Sequence, residues 1–431
     1  MAATATLDTL QAPSRRIAAP EGTILLSSAT LLSGVLAYAF HVIAARSLGA
    51  STYGLVAVLW AAMFIAVVVL FRPLEQTTSR AIADRLVRAE ELRSVMRASL
   101  LIYGCLAVTL ALSTVVFWAP LNDRLFLGHS AFVVALAVGT IAYGAAYVLR
   151  GACGGLRWFQ GYSAGLVADG VVRIAILIPV VFVGTGNVAA AAVAGAAFGG
   201  VLVPLALGRK RLPPLAQRGL GAPFHLRSAA AFAAPAAAVA AADQLLVNGG
   251  PLFVMLSGGK DAGKTAGIVF AATMIVRIPV FVFTGLAASL LPNLTRLNSS
   301  GKTAEFHRML VRATGLFAAV AAMIVVFGAT IGPQTLLAIY GPSFKTTHLD
   351  LALLGVAAGG YLAAATLAQA LLALASGRTA AAIWCTSAAI FVVGYAVVAG
   401  TQMFRVALSM AAATVFAALV STIVLMRRKV A

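Results

Sequence analysis

Seven charged side chains lie within or at the ends of long apolar stretches, where a charge is costly to place. They are Arg46, Arg72, Glu75, Asp169, Arg173, Asp243 and Arg277. A membrane interior solvates ions poorly, so such residues pair with one another or face an aqueous cavity, and each is a candidate functional residue. Asp169 and Arg173 are four residues apart on one predicted helix face, so they either neutralise each other or line a cavity.

Arg277 is the strongest candidate, because it lies near the middle of its apolar stretch. A guanidinium donates two parallel hydrogen bonds to a phosphate, so this position favours a site for an anionic group. Asp243 lies at a similar predicted depth, and it either pairs with Arg277 or faces the same cavity. Asp243, Asp169 and Glu75 are predicted as residues that carry a coupling ion or act as charge partners.

Arg72, Glu75 and Arg46 lie at the ends of apolar stretches rather than within them. Arg72 and Glu75 flank Pro73 at the inner end of the second stretch, and Arg46 follows the first stretch at the outer end. Long charged side chains at such positions either extend to the interface or reach into a central cavity. We predict Arg277, Arg173, Arg72 and Arg46, in that order, as substrate-binding cations.

The composition excludes a soluble globular protein. Of 431 residues, 61% are hydrophobic and 10% are charged, and the mean hydropathy is +1.00. Soluble domains carry about 25% charged residues. The net charge of +19 would suggest nucleic acid in a soluble chain. Here the cations lie between apolar segments, where they orient the protein and contact lipid headgroups, so we predict no nucleic-acid partner.

Apolar segments long enough to cross a bilayer fill almost the whole chain, with about 20 residues needed for each crossing. They cover about 24–45, 52–71, 96–118, 126–149, 162–184, 187–207, 229–256, 266–291, 311–331, 350–375, 380–400 and 404–426. This pattern predicts an all-α polytopic membrane protein with about twelve transmembrane helices.

The loop charges alternate along the chain. Of the 31 lysines and arginines, 23 fall in the segments on one side, six on the other, and two within spans. Cytoplasmic loops carry the excess of positive charge, so we predict that both termini are cytoplasmic. For a bacterial chain, this means a multi-pass protein of the cytoplasmic (inner) membrane.

The sequence contains an internal repeat. Gly54 and Gly128 are 74 residues apart, as are Gly267 and Gly341, and each pair encloses a basic loop. An even number of spans in each half gives the halves the same orientation. We therefore predict two parallel six-helix lobes related by a pseudo-two-fold axis along the membrane normal, with substrate bound between them. The predicted units are a tail (1–20), an N-lobe (21–207), a basic cytoplasmic linker (208–228) and a C-lobe (229–431).

Motifs for enzymatic chemistry are absent from the sequence. No Walker loop is present, and no Cys/His cluster has the spacing of a zinc site. The three cysteines have no redox spacing. We predict that the protein is not an enzyme, with no catalytic residues, metal or cofactor.

Several short segments occur in the order found in Wzx-type polysaccharide flippases. They are Ala45-Arg46-Ser47-Leu48-Gly49 with Tyr53-Gly54; Arg150-Gly151 through Phe159 to Arg173; Asp243 with Ala266-Gly267, Arg277-Ile278-Pro279 and Leu291-Pro292-Asn293-Leu294; Leu337 to Phe344; and Gly377-Arg378. Together they resemble this family, whose superfamily also contains multidrug exporters and lipid II flippases. Twelve spans rather than fourteen favour the oligosaccharide branch.

The resemblance implies a flippase that moves a polyprenyl-pyrophosphate-linked saccharide from the cytoplasmic to the outer leaflet by alternating access, for cell-envelope polysaccharide biosynthesis. Its partners would be this lipid-linked saccharide, membrane lipids, and envelope glycosyltransferases or polymerases. Two alternatives stay open. One is a multidrug or metabolite exporter of the same superfamily, and the other is a non-transporting membrane scaffold for envelope glycan enzymes.

Overall fold

A computed structural model describes residues 21–212, 215, 226–300, 303–373 and 377–427. Throughout these residues the regular structure is helical. Its α-helices are α1 (Glu21–Val87), α2 (Arg93–Val116), α3 (Trp118–Pro120), α4 (Ser130–Gly155), α5 (Phe159–Leu177), α6 (Val180–Val183), α7 (Gly186–Leu207), α8 (Leu226–Ser257), α9 (Ala262–Ser299), α10 (Thr303–Thr330), α11 (Gly332–Tyr340), α12 (His348–Ala373), α13 (Gly377–Val397) and α14 (Gln402–Arg427). A short π-helical turn, Leu121–Leu125, follows α3.

Helix α1 contains two membrane crossings. Its apolar part, Ile24–Val87, has 64 residues, whereas about 20 are enough for one crossing. The chain reverses at Gly49, whose φ of 70° and ψ of 169° are not helical. The left-handed φ favours glycine, because a Cβ there would crowd the backbone. With α1 counted twice, the eleven apolar helices found in the described residues give twelve crossings, which confirms the predicted number.

The twelve crossings form two six-helix lobes. The N-lobe contains the two crossings of α1 together with α2, α4, α5 and α7, and the C-lobe contains α8, α9, α10, α12, α13 and α14. The hairpin between α5 and α7 ends at Gly184, which has a left-handed φ of 66°. Among the described residues, the lobes meet mainly where α1 packs against α8 and α9. The two-lobe, all-α fold predicted from the sequence is therefore confirmed.

Repeat-related residues contact each other where the lobes meet. A Cβ built on Gly54 would lie 1.7 Å from the carbonyl oxygen of Gly263, and one built on Gly267 would lie 2.4 Å from that of Ala50. Gly54 and Gly267 are 213 positions apart, and so are Ala50 and Gly263. Gly54 of the N-lobe contacts Gly263 of the C-lobe, and the equivalent pair Gly267 and Ala50 makes the same contact with the lobes exchanged. Two such equivalent contacts are the pattern of a two-fold interface. The pseudo-two-fold axis passes through this contact.

The contact belongs to a closed face, which we define as the membrane end that carries Arg46, Gly54, Gly267 and Tyr340. Arg46 donates from Nε to the carbonyl oxygen of Ile339 at 2.7 Å and from Nη2 to that of Ala338. The amide of Ala50 donates to Ser343 Oγ at 3.3 Å. These contacts join the N-lobe to the C-lobe.

The aromatic side chains of Tyr53, Tyr340 and Phe344 pack beside these hydrogen bonds. The opposite end of the membrane region, which we call the basic face, carries the arginine-rich segments 72–97, 150–157 and 209–211. The tail 1–20 and most of the linker 208–228 lie outside the described residues, so these unit boundaries stay predictions.

Replacing Gly54 by valine should separate the lobes at the closed face. The new side chain would overlap the carbonyl group of Gly263, and a packed helix interface cannot absorb that volume without a shift. The measurement is thiol cross-linking of Ala50→Cys with Ser343→Cys, in a chain whose three cysteines are replaced by alanine. The yield should fall strongly in the Gly54→Val variant.

Gly104→Val provides the matched control, because a Cβ on Gly104 of α2 meets nothing within 4 Å. It carries a similar helix-propensity change and should leave the cross-linking yield unchanged. Equal yields in the two valine variants would contradict the close contact on the axis.

Candidate functional site

A cavity of about 160 Å³ lies between the lobes. Helix α1 provides one wall, and α8 and α9 provide most of the other. Five pairs of lining residues are related by the same offset of 213 positions as the axis glycines. They are Gly34 and Val247, Ala37 and Gly250, Tyr38 and Pro251, Trp60 and Thr273, and Phe64 and Arg277. The cavity therefore lies on the pseudo-two-fold axis, beneath the closed face.

Arg277 places a cation in this cavity. The residue is 7% exposed, and its Nη1 donates to the carbonyl oxygen of Val247 on α8 at 2.8 Å. Within the described part of the chain, its Nε and Nη2 are buried and have no hydrogen-bond partner. Buried polar groups are almost always hydrogen-bonded, and an unpaired one costs about 1–3 kcal/mol or more when charged. Two donor atoms of a cavity-lining guanidinium therefore have no partner in the described structure.

Asp243 lies near Arg277 but accepts hydrogen bonds from neutral groups. Tyr361 OH donates to its Oδ1 at 2.7 Å, and Gln244 Nε2 donates to its Oδ2 at 3.0 Å. The guanidinium carbon of Arg277 lies 5.7 Å from the Tyr361 ring centroid. Among the described residues, no ion pair joins Asp243 to Arg277. Tyr361 thus contacts both side chains, and in the described structure Arg277 has no carboxylate within ion-pair distance.

Asp169 and Arg173 form a buried ionic cluster in the N-lobe. Arg173 Nη2 lies 2.7 Å from Asp169 Oδ1, and Tyr143 OH lies 2.7 Å from both atoms. Arg173 is 2% exposed and its guanidinium packs over the Trp60 ring, 4.8 Å from the centroid. Of the two alternatives considered from the sequence, this is the geometry of a neutralised pair. It lies behind the cavity wall, and a role in substrate binding stays a prediction.

Arg150, at the basic end of α4, completes this cluster and was not among the residues singled out from the sequence. Its Nη2 lies 3.9 Å from Asp169 Oδ2, and the residue is 8% exposed. In the sequence it follows an apolar segment directly, like several loop arginines, so no local signal distinguished it. Two arginines therefore share one carboxylate, and the cluster has a net positive charge.

Glu75 and Arg72 lie at the basic face, near this cluster. Tyr162 OH donates to Glu75 Oε1 at 2.6 Å. Arg150 and Arg72 both act electrostatically on Glu75, and Arg72 also acts on Asp243 across the lobes. The Arg72 side chain is exposed.

Arg46 lies apart from the other candidates. It is exposed, and it caps the last turn of α11 at the closed face through the carbonyl groups of Ala338 and Ile339. Carbonyl groups at a helix C-terminus attract cations, which accounts for this position. The structure thus places Arg277 in the cavity between the lobes with Asp243 near it, Glu75 and Arg72 towards the basic face, and Arg46 in the contact at the closed face.

The fold is that of the MATE transporters. The chain superposes on an inward-facing multidrug resistance MATE family transporter of the MOP superfamily with a TM-score of 0.75 and 16% identity, covering 93% of this chain and 97% of that one. An outward-facing transporter of this kind gives a TM-score of 0.62 and 17% identity, covering 94% of each chain. At such identities the similarity establishes the fold.

The family follows from sequence. Residues 20–298 match the protein family described as polysaccharide biosynthesis protein, and the chain belongs to this family. An uncharacterized protein of Mycobacterium tuberculosis H37Rv is 26% identical over 375 residues, which are 85% of this chain and 82% of that protein. One from Mycobacterium bovis is 26% identical over 366 residues, covering 83% and 79%. The flippase-family resemblance predicted from the sequence motifs is thereby confirmed.

Replacing Asp169 by asparagine should destabilise the N-lobe. The change leaves the buried guanidinium groups of Arg173 and Arg150 without a carboxylate. Breaking a buried ion pair in this way costs about 3–5 kcal/mol. The measurement is the midpoint of thermal unfolding of the purified protein in detergent, which should fall clearly.

Asp84→Asn is the matched control. Its partner Arg80 lies 3.8 Å away, and both side chains are more than half exposed. Exposed pairs contribute about 0–1 kcal/mol, so this variant should unfold close to the wild-type midpoint. Similar midpoints for the two asparagine variants would show that the buried cluster contributes no stability.

Proposed function

We propose that the protein is a flippase that moves a polyprenyl-pyrophosphate-linked saccharide from the cytoplasmic to the outer leaflet. The observation that carries the proposal is the unneutralised guanidinium of Arg277 in the cavity on the pseudo-two-fold axis. A pyrophosphate cannot enter hydrocarbon unaided, because removing its charge from water is costly. Arg277 offers it two free donors, while the polyprenyl tail stays in the bilayer.

We assign the basic face to the cytoplasm and the closed face to the outside, following the distribution of loop charge. The protein is then in an inward-facing state, because the lobes contact each other at the outer end. The higher structural similarity to the inward-facing than to the outward-facing transporter supports this assignment. Alternating access would require the closed face to open and the basic face to close.

The path for the head group would begin at Arg72 and end at Arg277. Arg72 is exposed near the basic face and acts electrostatically on carboxylates of both lobes, so it is placed to attract an entering anion. The cavity of about 160 Å³ is close in size to one that holds benzene, about 150 Å³. In this state it accommodates one phosphate group or one sugar ring. Passage of a larger head group requires the lobes to move apart.

A multidrug or metabolite exporter is the second candidate, supported by the similarity to MATE transporters and by the aromatic residues Trp60 and Phe64 in the cavity. Cationic drugs require acidic groups in the cavity. Asp243 is near the cavity but does not line it, whereas Arg277 lines it and has two donor atoms without a partner in the described structure. An anionic substrate is therefore favoured.

Energy would come from the membrane potential or a cation gradient. Of the two aspartates considered as ion carriers, Asp169 already interacts with two arginines and a tyrosine. Asp243 accepts hydrogen bonds from neutral groups alone in the described structure, so it is the better candidate. Recruitment of envelope glycosyltransferases or polymerases through the basic loops is compatible with transport.

Arg277→Ala should slow flipping of a lipid-linked saccharide in proteoliposomes. Loss of a hydrogen bond to a charged group is worth about 1.5–3 kcal/mol, which corresponds to roughly a 10- to 100-fold lower rate. The measurement follows the access of a membrane-impermeant reagent to the sugar. Arg277→Lys should recover part of the rate, since lysine keeps the charge but loses the paired donors.

Arg124→Ala controls for the loss of one positive charge, because Arg124 is exposed outside the cavity. Its flipping rate should equal that of the wild type. A normal rate in Arg277→Ala would exclude a central phosphate site. In cells depleted of the protein, a head group that still reaches the outer leaflet at the normal rate would exclude the flippase function itself.

A further inference from the structure

The two halves of the cavity wall differ in chemistry at repeat-related positions. Trp60 and Phe64 of the N-lobe correspond to Thr273 and Arg277 of the C-lobe, and all four line the cavity. The N-lobe side of the cavity therefore carries two aromatic rings, and the C-lobe side carries a hydroxyl group and a guanidinium group. A ligand that fills the cavity on the axis meets an apolar surface on one side and a cation on the other.

The aromatic pair is held in a fixed position. The rings of Trp60 and Phe64 stack with centroids 4.4 Å apart, and the His41 ring packs edge-on against Trp60 at 4.5 Å. Arg173 lies over the Trp60 ring, and the buried cluster with Asp169 holds Arg173 in turn. Both aromatic residues are partly exposed, so they present a rigid surface to the cavity. Rigid binding surfaces lose little entropy when a ligand binds.

The charges around the pair determine what it can bind. An organic cation is attracted to the negative face of an aromatic ring. Here Arg173 already occupies a position over Trp60, and Arg277 lies across the cavity. A second cation between them would be repelled from both sides. The surface suits a neutral group with an apolar face, and the C–H face of a sugar ring has that character.

We propose that Trp60 and Phe64 bind the first sugar ring of the substrate while Arg277 binds its pyrophosphate, so that the N-lobe surface sets specificity for the saccharide. This inference rests on the proposed function. It assigns Arg173 as a positioning residue that acts through Trp60. The sugar attached directly to the pyrophosphate would be the one selected, because it is the ring nearest to the cation. The ring and the pyrophosphate together exceed the present cavity of about 160 Å³, so both would be bound only after the lobes move apart.

The test is equilibrium binding to the purified full-length protein in nanodiscs, with two probes. One probe is polyprenyl pyrophosphate without sugar, and the other is polyprenyl pyrophosphate that carries one hexose. Trp60→Leu should weaken binding of the hexose-bearing probe by about tenfold, and binding of the sugar-free probe should not change. Phe64→Leu should act in the same direction. Arg277→Ala should weaken binding of both probes.

Two further variants separate binding from folding. Trp60→Phe keeps an aromatic ring and should retain most of the affinity for the hexose-bearing probe. Trp118→Leu is the matched control, because Trp118 is 39% exposed in the short helix α3, away from the cavity. It should bind both probes as the wild type does.

The outcomes distinguish the two proposals. If Trp60→Leu lowers the affinity for both probes equally, the assignment of the sugar-binding surface is wrong, and the proposed flippase function is unaffected. Wild-type protein that binds neither probe would overturn the flippase function. If the wild type binds a cationic aromatic probe such as tetraphenylphosphonium, and Trp60→Leu abolishes that binding, the surface belongs to a drug site and the inference fails.

Discussion

The structure depends on a backbone-to-backbone contact between the two lobes on the pseudo-two-fold axis. Gly54 and Gly267 let the carbonyl groups of Gly263 and Ala50 approach to distances that any side chain would prevent. Closing one face this tightly fixes the spacing of α1 against α8 and α9 below it. The cavity follows from that spacing, because the residues that line it continue the same symmetric register towards the membrane centre. Small residues at a helix contact thus determine where a substrate can bind.

Symmetry explains the position of the cavity, and departures from symmetry explain its chemistry. A perfectly repeated pair of lobes would offer two equal walls and bind a symmetric ligand. Here each lobe carries an arginine in its membrane region, Arg173 and Arg277, but their surroundings differ. Arg173 is paired with a carboxylate and packs against Trp60 of the cavity wall, whereas Arg277 lines the cavity and has two donor atoms without a partner in the described structure. On the proposed function, this difference would give an amphipathic ligand one orientation between the lobes.

Much of the fold could be predicted from sequence, because the length and spacing of apolar segments are local properties. The repeat glycines Gly54 and Gly267 were found by register alone, and the structure shows why glycine is required there. The site was harder to predict, since its partners come from separate helices. The i,i+4 spacing predicted that Asp169 and Arg173 form a pair. Tyr143 and Arg150 could not be predicted as further partners, because they contact Asp169 only through the packing of α4 on α5. Arg46 was grouped with the binding cations, yet its partner Ile339 lies 293 residues away in sequence and was not predictable.

The balance of charge between the lobes bears on how a head group could be released as well as bound. Counted formally, the four arginines Arg72, Arg150, Arg173 and Arg277 outnumber the three carboxylates Glu75, Asp169 and Asp243 by one. A pyrophosphate diester with two negative charges would change that excess to a deficit of one. Transport sites must bind strongly enough to admit a ligand and weakly enough to let it leave. A fully cationic cavity would retain an anion in the low dielectric of the membrane, where unscreened attraction is large. On the proposed function, the three carboxylates would prevent the arginines from retaining the head group, and Arg277 would be the cation that binds it.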